Sequence, residues 1–192
     1  MDLAKTQQIL AQLYTNSGWR RRFFTAPNTL GLSSEEIDRL APLSAQQVDF
    51  FAGSLQRKRF NEICKLLPLT HRMVGKRFSA LFREYAETNR MKKPREEAQA
   101  FANYVKKHGS IETRWSVELL RYETAWLETT RPDCRFIIRG FRYDIKKLVK
   151  SFLKKDANQP TLQKQPTLAL WFRLSRQGRL RHLVLSLPLW RG

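Results

Sequence analysis

Apolar residues recur at three- and four-residue steps through most of positions 1–130, a spacing that predicts helices. Leu3, Ile9, Leu10, Leu13 and Tyr14 share one face of an opening helix. A basic-aromatic segment, Trp19 to Phe24, follows and ends at Pro27. Ser33-Ser34-Glu35-Glu36 has the form of a capping box, in which a hydroxyl and a carboxylate each accept a backbone N–H at a helix start. That short helix is expected to stop near Pro42. Ser44 repeats the start signal for a long helix through Phe50, Phe51, Leu55, Ile63 and Leu66 to Pro68. Between Thr70 and Thr88, the spacing of Met73, Val74, Phe78, Leu81, Phe82 and Tyr85 predicts one helix. Pro94 suits a first helical position, and Glu96 and Glu97 suit the positive end of the helix dipole. Phe101, Tyr104 and Val105 form that helix's inner face, and His108-Gly109 ends it. Ser110 is expected to cap the next, whose packing stripe is Trp115, Leu119, Tyr122 and Trp126. About six helices therefore fill an N-terminal domain, residues 1–130.

After Pro132 the period changes. Residues 134–141 are rich in β-forming side chains, with Phe136 and Ile138 on one side and Ile137 and Phe141 on the other. Asp144 is placed to cap a short amphipathic helix, Ile145 to Leu153, and the polar stretch to Pro166 reads as a loop. Two alternating segments within 167–187 predict a hairpin. With Gln177-Gly178 as its turn, Leu168 faces Leu187, Leu170 faces Leu185, Phe172 faces Leu183, Leu174 faces Arg181 and Arg173 faces His182. A lone hairpin is marginal in water, so a third strand is expected, most simply Cys134–Phe141. The fold class is α+β, mainly α: the helical domain, then a small basic domain, residues 131–192, with an antiparallel sheet and one basic helix.

Composition supports a folded chain, with 192 residues, 42% of them hydrophobic, and five Trp, twelve Phe and five Tyr. The opening residues show no basic start followed by an apolar run, and no stretch approaches the roughly 18 apolar residues of a membrane span. A cytoplasmic protein is expected, with Cys64 and Cys134 as reduced thiols. No Cys/His cluster, phosphate loop, dinucleotide fingerprint or nucleophile elbow is present, so no metal, cofactor or catalytic residue is expected. His71 near Cys64 reads better as a capping imidazole beside a buried thiol, and Glu84, Glu87, Glu118 and Glu123 as partners of neighbouring arginines.

Charge adds the main functional clue. The net charge is +19, and residues 131–192 hold fifteen Lys/Arg against only Asp133, Asp144 and Asp156. Such a chain repels itself without an anionic partner. Lys146, Lys147, Lys150, Lys154 and Lys155 crowd one side of the short helix with no acid among them. They read either as a solvated face or as a row of phosphate contacts. Arg139, Arg142, Arg173, Arg176 and Arg181 lie on the strands and turn, where they read as further phosphate contacts or as guards against edge-to-edge aggregation. Basic clusters in the helical part, among them Arg20-Arg21-Arg22 and Arg57-Lys58-Arg59, read as surface charge.

Several stretches carry a family resemblance: Arg59-x-x-x-Ile63-x-x-Leu66-x-Pro68, Gly75-x-x-Phe78-x-x-Leu81, Glu84-Tyr85, Phe101-x-x-Tyr104 and Leu120-x-x-Glu123-x-Ala125-Trp126. Through them residues 53–130 resemble a bacterial family labelled as DNA-binding, which includes partner proteins of methanobactin-type and related peptide-modifying enzymes. The resemblance implies a helical domain followed by a small β-containing one, and partners that are an enzyme and its precursor peptide. The basic charge points instead to a polyanion. The expected function is therefore non-catalytic nucleic-acid binding, mainly of DNA phosphates and with little sequence specificity. The alternative is an adaptor that binds a peptide or enzyme at its C-terminal sheet edge by strand addition.

Overall fold

The structure is a computed structural model that describes residues 3–109, 111, 113–131, 133–153, 164–175 and 178–188. It is mainly helical with one small antiparallel sheet. In chain order the helices are α1 (Leu3–Thr15), α2 (Ser17–Thr25), a 3-10 turn (Pro27–Leu30), α3 (Ser34–Leu40), α4 (Ala45–Leu66), α5 (Pro68–Val74), α6 (Arg77–Thr88), α7 (Pro94–His108) and α8 (Arg114–Thr129). Strand β1 (Phe136–Phe141), α9 (Ile145–Leu153), β2 (Thr167–Phe172) and β3 (Arg181–Ser186) complete it. Among the described residues no helix is long and apolar enough to cross a membrane.

Eight helices precede position 130 among the described residues, where the spacing predicts about six. The basic-aromatic segment is one of the additions: Asn16 accepts the Trp19 N–H at 2.8 Å and caps α2. The other comes from a break at Gly75 inside the expected 70–88 helix. Gly75 has φ 62° and ψ −135°, a conformation open essentially to glycine alone, so the helix divides into α5 and α6. The capping box holds: Glu36 N–H donates to Ser33 Oγ at 3.3 Å and Ser33 N–H donates to Glu36 Oε2 at 2.8 Å. The start of α8 is at Thr113, whereas Ser110 lies outside the described residues.

Three apolar clusters share these elements. Ile9, Leu13, Phe23, Leu40 and Val48 join α1–α4. In α4, Val48 and Ala52 take the buried positions, while Phe50 and Phe51 lie on the surface. Ile63, Phe78, Phe82, Phe101, Leu120 and Leu127 belong to a second cluster spanning α4–α8. Its aromatic rings meet edge-on, Phe78 and Phe82 each against Phe101 at 5.2 and 5.3 Å. Leu69, Leu119, Tyr122, Ile137, Ile145 and Trp171 belong to the third, which joins α5 and α8 to α9 and the sheet.

Charged groups inside the helical part are paired. Arg59, expected on the surface, is 8% exposed and donates to the buried Glu97 carboxylate. Arg20 donates to Asp49 at 2.6 Å and to the Leu13 carbonyl at 2.9 Å. Glu123 does not pair with an arginine. Its carboxylate accepts the Leu69 N–H at 2.6 Å, the Thr70 N–H at 2.9 Å and the Thr70 hydroxyl at 2.5 Å. The two backbone N–H groups are orphan donors of the first turn of α5, so one buried acid on α8 caps another helix. Burial pushes the Glu123 pKa up, and the three hydrogen bonds oppose that shift. Glu123→Ala is expected to destabilise the fold by about 2–4 kcal/mol by orphaning buried donors, read as a lower urea midpoint with an unchanged m-value. Glu123→Gln should lose less, because an amide oxygen still accepts from one of them.

Candidate interaction surfaces of the C-terminal sheet

The sheet order is β1-β2-β3, all antiparallel. The expected third strand is therefore present, beside β2. The hairpin register differs from expectation by two residues: Leu168 pairs with Leu185, Leu170 with Leu183 and Phe172 with Arg181. The Gly178 N–H donates to the Ser175 carbonyl at 3.0 Å, so Gly178 closes the turn instead of standing within it. A Cβ on Gly178 would lie 3.0–3.2 Å from Ser175 atoms, which explains glycine at the closing position. A slip of two preserves the alternation of faces, so the side-chain sets stay as predicted.

One set faces the helices and the other faces outward. Thr167, Ala169 and Trp171 of β2 are buried against the helices, with Ile137 and Phe141 of β1 beside them. Leu168, Leu170 and Phe172 point outward. So do Phe136 and Ile138, 57% and 44% exposed, and Leu183 and Leu185, 48% and 43% exposed.

The basic helix α9 is fixed at both ends. Asp144 Oδ1 accepts the Lys147 N–H at 3.0 Å, the expected cap. Glu118 of α8 holds the preceding turn by accepting the Arg142 N–H at 2.9 Å and the Tyr143 N–H at 3.3 Å. At the other end Arg72 donates to the Phe152 and Leu153 carbonyls at 2.7 and 3.0 Å. Ile145 and Leu148 are fully buried, and the Phe152 ring lies 5.4 Å from Trp115. Lys146, Lys147 and Lys150 are exposed on the opposite side, with Lys147 3.5 Å from Asp144. Lys154, Lys155 and Arg176 lie outside the described residues.

The remaining predicted arginines are not gathered on one surface. Arg139 pairs with Glu128 of α8 at 2.8 Å and reaches the Ile138 carbonyl. Arg173 donates to the Thr129 carbonyl at 3.2 Å, at the C-terminal end of α8, and its Nε is buried without a hydrogen-bond partner. Arg142 and Arg181 are exposed. Two of these four arginines therefore attach the sheet to α8. Glu128, which holds Arg139, and Glu118, which holds the turn before α9, carry no local sequence signal beyond their charge.

Among the described residues no strand pairs with the outer edge of β1. The Arg173 N–H donates to the Arg135 carbonyl, so by alternation the peptide groups of Phe136, Ile138 and Gly140 point away from β2. Beside this edge is a groove of about 450 Å3 lined by Glu128, Arg131, Asp133, Cys134 and residues 136–139. A cleft of about 800 Å3 between α7 and α8 shares Glu128 and Arg131 with it and adds Pro94, Arg95, Gln99, Asn103 and Leu127.

Elsewhere the residues weighed for chemistry have packing partners. The His71 ring lies 4.8 Å from Phe78, and that of His108 lies 4.4 Å from Tyr104. Cys64 and Cys134 are free thiols, and burial pushes the Cys64 pKa up. Among the described residues no three His, Cys, Asp or Glu side chains are grouped to hold a metal ion.

Residues 41–107, about a third of the chain, match the family model described as SCO6045-like, C-terminal domain. The match covers α4 to α7 and ends before α8 and the sheet. That description names no ligand, substrate or activity. A comparison with curated proteins found no match.

His182 of β3 is enclosed by Trp171, Trp126 and Tyr122, with ring centres at 4.9, 5.0 and 5.7 Å, and its Nε2 has no hydrogen-bond partner. Burial, and secondarily the nearby Lys146 charge, lower its pKa from the usual 6.5. The unfolded chain then binds this proton more readily than the folded one. This contribution is complete above about pH 6.5 and is lost progressively as pH falls from there through the lowered folded-state pKa. His182→Phe should flatten the decline in thermal midpoint between about pH 7 and 5 relative to the parent protein, as measured by near-UV circular dichroism.

Proposed function

We propose that the protein is a non-catalytic adaptor that takes up a partner polypeptide as an added strand on the free edge of β1. The observation that carries this reading is the outward row of peptide groups at Phe136, Ile138 and Gly140, with a groove running beside them. Main-chain hydrogen bonds supply affinity in strand addition, and side-chain pockets along the edge supply selectivity. The Arg139–Glu128 pair stands at the groove and is positioned to meet charge on an incoming chain.

Ile138→Pro removes an outward N–H from the middle of this edge. Affinity capture from nuclease-treated lysate at high salt is expected to retain a stoichiometric polypeptide with the parent protein and with Ile138→Val, and to lose it with Ile138→Pro. The bound partner should also slow amide exchange at residues 136, 138 and 140. Capture that survives the proline substitution sinks the reading.

A second reading, binding of a polyanion such as nucleic acid, is favoured by the exposure of Lys146, Lys147 and Lys150 together on α9. With two of the strand arginines engaged by α8, these three lysines carry most of that reading among the described residues. Three phosphate contacts imply a loss of roughly 40-fold in affinity between about 50 and 200 mM salt. Replacing all three lysines by glutamate should abolish the binding of duplex or single-stranded DNA while leaving the thermal midpoint within a few degrees. Binding indifferent to salt, or to these substitutions, excludes it.

A further inference from the structure

We infer that the outer face of the sheet is a docking surface for one amphipathic helix of a partner chain, apolar along the side that meets the sheet and acidic at both ends. This surface consists of side chains, and it is separate from the backbone edge invoked above. An antiparallel sheet with one solvated face ordinarily alternates apolar inside with polar outside. Here both sides are apolar. The helices cover Trp171, Ala169 and Thr167, and the other side presents Phe136, Ile138, Leu170, Leu183 and Leu185 without an acidic or amide side chain among them. A contiguous exposed patch of this kind marks an interaction site.

Size and charge select the occupant. Strands stand about 4.8 Å apart, so the three span about 10 Å, the width of one helix with its side chains. Six-residue strands run about 20 Å, the length of a helix of about 13 residues. At one end of the face Arg181 is exposed, and at the other Arg142 and Lys164. None of these three forms an ion pair among the described residues. A second copy placed face to face would set cations against cations whichever way it turned, in a chain already at +19. An apolar helix with Asp or Glu in its first and last turns meets both the patch and its flanking charges.

The test is selection of helical 14-residue peptides from a displayed amphipathic library, with apolar and terminal positions randomised, against the full-length protein. Leu183→Lys with Leu185→Lys is the comparison variant. Both leucines are half exposed on β3, away from the β1 edge, so the variant tests this face without altering the edge. The expected result is enrichment of peptides with one apolar stripe and acidic ends, binding about tenfold or more weaker to the variant. They should also weaken about tenfold when their terminal acids become lysines. Three outcomes overturn the inference: no enrichment, enriched peptides indifferent to the variant, or a parent protein that sediments as a dimer and becomes monomeric in the variant. Hydroxyl-radical footprinting adds a fourth, protection of Phe136 and Leu183 in the free protein, which would mean that the chain covers this face itself. Edge capture that fails with Ile138→Pro but persists in the Leu183/Leu185 variant would separate the two surfaces.

Discussion

Helix α8 is buried on two sides, and the position of everything after it depends on that burial. Leu120 and Leu127 face the helical core, while Leu119, Tyr122 and Ala125 face the sheet and α9. A helix with apolar residues on two sides is stable between two layers. Three acids at five-residue intervals then fix its neighbours. Glu118 holds the turn into α9, Glu123 caps α5 and Glu128 pairs with Arg139 of β1. Five residues turn a helix by roughly 140° and advance it about 7.5 Å, so the three carboxylates leave α8 in three directions. Each reaches a different element, and so the two cores share one set of fixed contacts.

The same economy engages part of the positive charge of a chain at +19. Arg139 and Arg173 attach the sheet to α8, and Arg72 closes the C-terminal end of α9. In the helical part, Arg59 is enclosed with Glu97 beneath the Phe82 ring, and Arg20 ties α2 to Asp49 and to the Leu13 carbonyl. Guanidinium groups suit this work because their fork of donors satisfies several acceptors at once. Lysines remain where desolvation is avoidable, on the outer side of α9. Among the described residues the platform presents exposed cations, a strand edge with no strand paired to it and an apolar sheet face. These are three different kinds of surface, and net charge alone describes the first.

Much of the architecture was legible from local pattern. The capping box at Ser33, the Asp144 cap, the amphipathic α9 and the stripe Trp115-Leu119-Tyr122-Trp126 all stand where spacing places them. Misreadings arose where a single residue or a distant partner decides. Gly75 split one periodic segment in two because its backbone lies where other residues are strained. The hairpin register differs by two because Gly178 closes the turn onto the Ser175 carbonyl instead of standing within it. Of the candidate site residues, the exposure of Lys146, Lys147 and Lys150 followed from their helical face. The engagement of Arg139 and Arg173 did not, since Glu128 and Thr129 are remote in sequence from the strands they meet.

By itself the sequence determined most of the helices, three strands, the alternation of side chains along the strands and the charge imbalance. All of these follow from periodicity and composition within a few neighbouring residues. Only the tertiary structure decided which face of the sheet meets α8. The two faces have similar hydrophobicity, and alternation cannot choose between them. Trp171 and Ala169 are buried instead of Leu170 and Phe172 because a large ring beside a small side chain fits the surface of α8 around Tyr122 and Trp126. That choice of packing leaves the leucines outside and gives the protein its open apolar face.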